Sequence, residues 1–399
     1  MLRFVAIAAI LFVSACGGPT DVSGPTCTAL QSFSELQEDD TVRALGGPAT
    51  IESAMQSIIA DVMTAPSTSA SRAPFAAPKN ILAISTGGQN GAFSSGFLAG
   101  WTEAGTRPSF DIVTGASAGA LVAPVAFVGS NFDQHLRRNT GIGESDVFSR
   151  RGTLRALWSN SLFDTAPLER RLENLYNDGE FWDALTEQTT ENRLLLIGAT
   201  ELESGRFRRF DFARLLLADK GIPDKKKCLV EATLASAAIP GLFPPRRING
   251  SLFVDAGVRQ SIFLDEIIEE LDRGRGGRAR ADVYLLINGS LDFQPAEVDL
   301  SLLPLVNRNI EILTDEGMRA SILRVLDRAQ FRGWTLRAAA IQITPDCGSE
   351  TAPDGEAPVF SRCVTEALYE HGRELALSDK PWLNAEELRA ALEAGRISR

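Results

Sequence analysis

Histidine is scarce in this sequence, whose 399 residues include only His135 and His371. So few histidines restrict both zinc sites and histidine-based catalysis, since each needs histidine at defined positions. Basic runs are short as well: the longest is the lysine triplet at 225–227, and the net charge is −11. Nucleic-acid binding needs a dense basic surface that neutralises phosphates, so the sequence predicts no nucleic-acid partner.

Long hydrophobic runs are also missing. The apolar run at 4–13, which follows Arg3, is too short to span a bilayer, and small residues then lead to Cys16. This arrangement resembles a bacterial lipoprotein signal, which is cleaved before a lipid-bearing cysteine. The resemblance implies a signal peptide at 1–15, lipidation of Cys16 and a membrane-anchored location in the bacterial cell envelope, at the periplasmic side or cell surface. An ordinary secretory signal is the alternative, and both would export the protein.

Four further cysteines follow Cys16. An exported protein can form disulfides, and four cysteines allow three pairings. Cys347 and Cys363 enclose a loop rich in Gly, Pro and Ser, which favours a local bond between them. Cys27 and Cys228 would then be the remaining pair, and free buried thiols are the alternative.

Residues 80–290 alternate short apolar runs with helical stretches. The first two predicted strands, at 81–85 and 110–114, are each followed by a glycine-containing turn and a helix. Further strands are predicted at 194–199 and 283–288. Strands separated by helices indicate a three-layer α/β/α fold with a mostly parallel central sheet.

The segments on either side of this region have different patterns. Residues 16–79 are predicted to form a tether with a short helix, because most of the segment is small, polar or proline-rich. Residues 291–399 are predicted to form a mainly helical extension that packs on the catalytic domain. Its helical patterns cover 301–337 and 383–395, with a strand predicted at 339–343.

One G-x-S-x-G motif, at 115–119, lies between a predicted strand and an apolar helix. A tight turn there would raise Ser117 above the sheet edge, with Gly115 and Gly119 relieving the crowding of the backbone. The helix N-terminus would stabilise negative charge near the serine. For this motif alone, a glycine-rich loop that begins a packed helix is the alternative.

A second glycine-rich turn follows the first predicted strand and opens a helix. Such a turn directs several backbone N–H groups at one anion, as an oxyanion hole requires. The predicted oxyanion hole consists of Gly87, Gly88, Gln89 and Asn90. A dinucleotide-binding loop is disfavoured, because Thr86 replaces its first glycine and no acid ends the next strand.

Ser117 needs a base, and the two histidines are poorly placed for this role. Only His371 follows in the chain order of a hydrolase triad, with no strand before it, and both histidines are predicted to lie on the surface. Asp255 follows a short strand and precedes a turn of small residues, which would present its carboxylate at a loop. On spacing alone, a turn residue without a catalytic role is the alternative.

Four blocks occur in the order and approximate spacing of patatin-like phospholipases: residues 85–93, 115–119, 235–245 and 255–257. This resemblance implies an α/β fold in which a Ser-Asp dyad hydrolyses acyl esters of lipids. By motif, Ser117 is similar to the nucleophile of the family, Asp255 to the base and the turn at 87–90 to the oxyanion hole. The block at 235–245 is similar to a supporting helix and turn.

Two positions depart from the family pattern: Thr86 replaces a glycine, and Ala256 stands in an Asp-Ala-Gly motif where Asp-Gly-Gly or Asp-Gly-Ala is usual. The implied activity is a phospholipase A or lysophospholipase-type esterase with an acyl-serine intermediate. Its substrate would be a lipid or lysolipid ester, and the reaction would need no metal or cofactor. A histidine-dependent α/β-hydrolase esterase and a non-catalytic lipid-binding lipoprotein are the alternatives.

Overall fold

The structure is a computed structural model, which describes residues 24–27, 79–151, 159–189, 193–218, 224–264, 280–292, 298, 300, 302–348 and 358–397. The predicted signal peptide, the lipidation site Cys16 and the helix predicted within 16–79 lie outside these residues. Within the described ranges, no helix combines the length and the apolar character needed to cross a bilayer.

The described residues contain eleven strands. They are β1 (Lys79–Ile84), β2 (Ile112–Ala116), β3 (Ser149–Arg150), β4 (Phe163–Asp164), β5 (Leu194–Glu201), β6 (Phe207–Asp211), β7 (Arg246–Ile248), β8 (Ser251–Val254), β9 (Ala281–Ser290), β10 (Thr335–Ile341) and β11 (Leu383–Asn384). Nine of them form one sheet in the order β11-β10-β9-β1-β2-β5-β8-β7, with β6 also paired to β5. β3 and β4 form a separate antiparallel pair.

The middle of this sheet is parallel. Strands β10, β9, β1, β2 and β5 run in the same direction, and antiparallel pairing is confined to the flanking strands β11, β6, β8 and β7. Ile84 at the end of β1 pairs with Gly115 of β2, so the two glycine-containing turns leave the sheet side by side. The mostly parallel sheet is therefore confirmed.

The described part of the chain also contains eleven α-helices. They are α1 (Gly91–Glu103), α2 (Ala118–Val128), α3 (Asp133–Arg137), α4 (Glu144–Val147), α5 (Ala166–Asn177), α6 (Gly179–Gln188), α7 (Phe212–Leu217), α8 (Lys225–Ser236), α9 (Leu302–Arg332), α10 (Arg362–Leu377) and α11 (Ala385–Ile397).

Two hydrophobic cores cover the two faces of the sheet. Because side chains alternate along a strand, Leu82 and Ile84 of β1 face one core, while Ile81 and Ala83 face the other. The first core contains apolar residues of α1, α2, α5, α8 and α10. The second contains those of α9 and α11. The result is the three-layer α/β/α architecture that the sequence predicted.

The end of α9 differs from the prediction. The helical pattern was predicted to continue to residue 337, but Gly333 adopts a left-handed conformation (φ 68°) that ends the helix at Arg332. The next residues enter the sheet as β10, which begins at Thr335. The predicted end of the helix is therefore wrong.

Asn384 lies immediately before the last helix. The Oδ1 of Asn384 accepts a hydrogen bond from the Glu387 N–H at 3.0 Å, and the Asn384 N–H donates to Glu387 Oε2 at 2.9 Å. This reciprocal pair is a capping box, which satisfies two N–H groups at the helix N-terminus.

Two disulfides tie distant parts of the chain to this body. Cys347 is bonded to Cys363, which confirms the favoured pair, and Cys27 is bonded to Cys228 of α8. The Asn249 N–H also donates to the Pro25 carbonyl at 3.2 Å. The segment predicted as a tether is therefore attached to the body at Cys27.

Helix α10 lies against α1, the helix that begins at the first glycine turn. A Cβ at Gly96 would lie 1.9 Å from the Tyr369 carbonyl oxygen, and one at Gly100 would lie 2.4 Å from that of Arg373. Only glycine at these two positions allows the helices to approach so closely. The residues after 290 therefore contribute two strands to the sheet and a helix that supports α1.

Candidate active site

Ser117 occupies a strained turn between β2 and α2. Its backbone has φ 52° and ψ −116°, a conformation that residues with a side chain rarely adopt. A Cβ at Gly115 would lie 2.5 Å from the Gly119 carbonyl oxygen, and a Cβ at Gly119 would lie 2.4 Å from that of Ile84. Both predicted glycines are thus required for the turn that holds Ser117 above the sheet edge.

The structure brings Ser117 and Asp255 together. Ser117 Oγ donates to Asp255 Oδ2 at 2.6 Å, and the Gly257 N–H donates to Asp255 Oδ1 at 2.7 Å. The backbone of Asp255 is held as well: its N–H donates to the Ala238 carbonyl at 2.9 Å, and its carbonyl accepts from Thr200 Oγ1 at 3.0 Å. These contacts fix the carboxylate relative to the hydroxyl.

Burial changes the proton affinity of this carboxylate. Asp255 is 6% exposed and Ser117 4% exposed. Burial raises the pKa of Asp255 to about 6, although the hydrogen bonds from Ser117 and from the Gly257 N–H act to lower it. A carboxylate with this pKa is ionised at neutral pH and is a stronger base than an exposed aspartate. It therefore suits proton transfer from a serine better than the ordinary pKa would allow.

The first glycine turn lies beside Ser117, with different roles for its four residues. Gly88 and Gln89 line the same cavity as Ser117. Neither of their N–H groups has a hydrogen-bond acceptor among the described residues. The Asn90 N–H donates to the Gly87 carbonyl at 3.0 Å, which closes the turn. Of the four predicted oxyanion-hole residues, Gly88 and Gln89 thus offer free backbone donors, and the Asn90 N–H does not.

Ser236 supports Ser117, a role that the sequence did not indicate. The fully buried hydroxyl of Ser236, at the end of α8, accepts a hydrogen bond from the Ser117 N–H at 2.9 Å. This residue lies in the block at 235–245, which was interpreted only as a scaffold. The same block supplies the Ala238 carbonyl that binds the Asp255 N–H. It therefore positions both residues of the Ser-Asp pair.

Asn288, at the end of β9, supports the glycine turn and was also missed. Its Nδ2 donates to the Ser85 carbonyl at 3.0 Å, and its Oδ1 accepts from the Ser94 N–H at 3.2 Å. A Cβ at Gly87 would lie 2.4 Å from both the Cβ and the carbonyl oxygen of Asn288. A polar residue at the carboxyl end of a buried strand was the available signal.

The two departures from the family pattern fit the structure. The φ angle of Ala256 is not positive, so alanine is not strained at this position. The Thr86 N–H donates to the Ser261 carbonyl at 2.9 Å, and the Thr86 side chain lies against Gly257, where a Cβ would be 3.3 Å from Thr86 Cγ2. Thr86 thus packs against the turn that follows Asp255.

Both histidines were predicted on the surface, and the prediction is wrong for His135. His135 is buried, and its ring contacts Phe132 and Phe181. His371 is half-buried against Phe93, and its Nε2 accepts from the Gln342 N–H at 3.2 Å. In the part of the chain that the structure describes, neither histidine forms a hydrogen bond with Ser117.

Ser117 faces a cavity of about 270 Å³ with mainly apolar walls. Helices α2 and α5 and the segment after α8 supply most of the apolar lining residues. Apolar lining residues include Leu121, Val122, Val125, Leu168, Leu172 and Phe243. An apolar enclosure next to the Ser117 hydroxyl fits the hydrocarbon chain of a fatty acyl group.

A disulfide-bonded segment closes part of this cavity. Phe360 lines the cavity, and the adjacent Ser361 N–H donates to Gln89 Oε1 at 2.9 Å. Cys363, two residues further on, is bonded to Cys347. The Gln89 side chain therefore links the glycine turn to the wall of the cavity.

Comparison with known proteins places the sequence pattern in a family. Residues 82–268 match the family model described as Patatin-like phospholipase. No curated protein sequence matches this chain. The chain is similar to the structure of VipD from Legionella pneumophila, with 13% identity, a TM-score of 0.37 and coverage of 75% of this chain and 66% of VipD.

A second similar structure is human GIVD cytosolic phospholipase A2 in complex with methyl gamma-linolenyl fluorophosphonate and terbium chloride. It has 12% identity, a TM-score of 0.29 and coverage of 81% of this chain and 60% of the human chain. The chain spans less than two thirds of the length of either structure. The family match at 82–268 includes Ser117, Asp255 and the glycine turn, and this chain therefore contains a domain of the patatin-like phospholipase family.

Proposed function

We propose that this protein is a lipid acyl hydrolase of the phospholipase A or lysophospholipase type, acting through a Ser-Asp dyad. The main support is the 2.6 Å hydrogen bond from Ser117 Oγ to Asp255 Oδ2 beside an apolar cavity. The family match supports a lipid ester as the substrate. The pairing of Ser117 with a carboxylate supports this dyad over the histidine-dependent alternative.

The proposed reaction has two acyl-transfer steps. In the first, Asp255 accepts the Ser117 proton while Oγ attacks the ester carbonyl carbon, which gives a tetrahedral anion. The alcohol leaves with the proton held by Asp255, and the acyl group remains on Ser117. In the second step, Asp255 accepts a proton from water, which attacks the acyl-serine. The bond between the acyl carbon and Ser117 Oγ then breaks, Asp255 returns the proton to Oγ, and the fatty acid is released.

Backbone donors near Ser117 would stabilise the tetrahedral anion. The free N–H groups of Gly88 and Gln89 border the cavity, and Ala118 contributes another N–H as the first residue of α2. Each such donor typically contributes about 3 to 4 kcal/mol to the stability of the transition state. The N-terminus of α2 adds a favourable dipole at the same point.

Ser117→Ala is the direct test of the nucleophile. We expect this variant to lose hydrolysis of p-nitrophenyl butyrate and covalent labelling by a fluorophosphonate probe, with an unchanged circular dichroism spectrum. Ser145→Ala is the matched control, since Ser145 is exposed, and it should keep both hydrolysis and labelling. Turnover by Ser117→Ala would eliminate Ser117 as the nucleophile.

A second variant tests the histidine-dependent alternative. His371→Ala should keep turnover, because His371 bonds to Gln342 and forms no hydrogen bond with Ser117 in the described residues. A loss of about 10²- to 10⁴-fold, typical of a missing general base, would favour a histidine mechanism.

The substrate class is tested by incubating the purified protein with mixed phospholipids and lysophospholipids and analysing the products by mass spectrometry. Release of free fatty acids would support the proposal. Lipid binding with neither fatty-acid release nor fluorophosphonate labelling would favour the non-catalytic lipoprotein.

We also propose that Cys16 is lipidated and holds the protein on a membrane of the bacterial cell envelope. Since Cys27 is fixed to the body by its disulfide, the chain from Cys16 to Cys27 reaches at most about 40 Å. The anchor would thus keep the catalytic domain near the membrane surface. Cys16→Ser should move the protein from the membrane fraction to the soluble fraction, and unchanged membrane association would contradict lipid anchoring.

A further inference from the structure

Two arginines line the same cavity as Ser117. Arg138 follows α3 and is exposed, and Arg171 lies in α5 and is half-buried. Arg171 Nη2 donates to the Arg138 carbonyl at 2.8 Å, which holds the two residues close together. Within the described ranges, neither guanidinium forms an ion pair. Two neighbouring cationic residues thus line a mainly apolar cavity.

The charges around this pair compensate it only in part. Asp146, the acid that acts most directly on Arg171, is paired with Arg362 at 2.7 Å. No aspartate or glutamate lines the cavity in the described structure, although the chain as a whole carries a net charge of −11. Burial lowers the pKa of Arg171 although the charge of Asp146 acts to raise it, and the charge of Arg138 acts in the same direction as burial. An anion in the cavity would relieve both effects.

Amide groups add further donors at this end of the cavity. Asn139 and Asn174 both line it, and the Asn139 amide is oriented by donation to Ser95 Oγ at 3.1 Å. One guanidinium is enough to bind a carboxylate through two hydrogen bonds. Two guanidiniums and two amides match an anion with more acceptor oxygens, and phosphate is such an anion.

We propose that Arg138 and Arg171 form a subsite for the phosphate group of an amphiphilic ester. This proposal rests on the proposed function: the ester carbonyl would reach Ser117, and the hydrocarbon would lie along the apolar wall. The arginine pair would make the enzyme prefer phosphate-bearing esters over neutral esters with the same acyl chain. It would act on specificity, since Ser117 and Asp255 perform the chemistry.

A binding experiment tests the subsite without requiring turnover. Ser117→Ala protein is titrated with dodecyl phosphate, inorganic phosphate and dodecyl maltoside in a calorimeter. We expect dodecyl phosphate to bind more tightly than the other two. When Arg138→Gln and Arg171→Gln are both added to the Ser117→Ala protein, dodecyl phosphate should bind at least about tenfold more weakly, because charge-assisted hydrogen bonds are lost. Arg170→Gln is the matched control, since Arg170 lies on the same helix, is exposed and does not line the cavity.

Two results of this titration would overturn the proposal. Equal loss of affinity in the Arg170 control and the double variant would mean that only net charge matters. Inorganic phosphate binding as tightly as dodecyl phosphate would indicate a site for free phosphate, with no role for the hydrocarbon. Circular dichroism of each variant establishes that it is folded.

A kinetic experiment separates this proposal from the proposed function. Turnover of lysophosphatidic acid is compared with that of a monoacylglycerol carrying the same acyl chain. The ratio of the two kcat/KM values should fall at least about tenfold in the double variant and stay constant in Arg170→Gln. If both esters are hydrolysed and the ratio does not change, the subsite fails and the hydrolase proposal stands. If neither is hydrolysed, the hydrolase proposal fails, and the titration still decides the subsite.

Discussion

Replacing Asp255 with asparagine is expected to remove hydrolysis and, above pH 6, to make the folded protein more stable. Activity should fall by about 10²- to 10⁴-fold or more, because the amide cannot accept the Ser117 proton. Stability should rise because Asp255 is buried and its carboxylate has no cationic partner among the described residues: it accepts hydrogen bonds from the Ser117 hydroxyl and the Gly257 N–H. These contacts offset only part of the cost of burying a charge.

The size of this gain follows from the pKa of Asp255. Its value is about 6 in the folded protein, compared with an ordinary value of 3.8. The folded state therefore binds the proton more tightly than the unfolded state. The contribution of this group to stability is fully present below pH 3.8 and is lost as the pH rises through 6. The separation of the two pKa values corresponds to a loss of about 3 kcal/mol, which asparagine avoids.

Urea unfolding of the wild-type and variant proteins, with disulfides intact and tryptophan fluorescence as the signal, tests this reasoning. The free energy of unfolding of Asp255→Asn minus that of wild type should increase between pH 4 and pH 6 and remain constant from pH 7 to pH 8. The exposed Asp183→Asn serves as the control for loss of a carboxylate. A difference that does not change with pH would refute the assignment of a destabilising charge to Asp255.

Three further predictions follow from the site. The kcat/KM of the wild-type protein should fall about tenfold per pH unit below pH 6, because protonated Asp255 cannot act as a base. A kcat/KM that stays constant down to pH 4.5 would contradict this role. Ser236→Ala should lower kcat more than it changes KM and should destabilise the protein by about 1–3 kcal/mol in urea unfolding, because the buried Ser117 N–H loses its acceptor. Replacing both cysteines of the Cys347–Cys363 disulfide by serine should lower the free energy of unfolding by about 3 kcal/mol and raise KM. The same change at Cys27–Cys228 should lower it by about 5 kcal/mol and leave KM unchanged. Equal effects on KM would refute the link between the Cys347–Cys363 disulfide and the cavity wall.

Much of the candidate site was predictable because its two glycine turns have local sequence signals. The strand, glycine turn and helix at 112–128 are consecutive in the chain, and so are those at 79–103. Parallel pairing of β1 with β2 then places both turns at one sheet edge. The partner of Ser117 had no comparable signal. Asp255 is 138 residues away, and only the resemblance to a family distinguished it from an ordinary turn residue.

The two supporting residues that were missed act over long distances, and their sequence signal is at most a single polar residue. Ser236 ends a helix 119 residues from Ser117, and Asn288 bonds to Ser85 across 203 residues. A single polar residue in an apolar segment is compatible with many environments. His135 was wrongly predicted on the surface for a related reason, since the five residues of α3 are too few to show which face is buried.

Ser117 and Asp255 both destabilise the folded protein, so the surrounding structure must hold them in place. A non-glycine residue with the backbone conformation of Ser117 typically costs about 1–3 kcal/mol, and the ionised Asp255 adds about 3 kcal/mol near neutral pH. Together these are a large part of the roughly 5–15 kcal/mol that stabilises a typical domain. On a free loop, both residues would relax to less costly conformations. Here Ser236 holds the Ser117 N–H, Ala238 holds the Asp255 N–H, and both supports come from the end of one helix and the turn that follows it. The segment that seemed to be only a scaffold therefore sets the distance between the hydroxyl and the carboxylate.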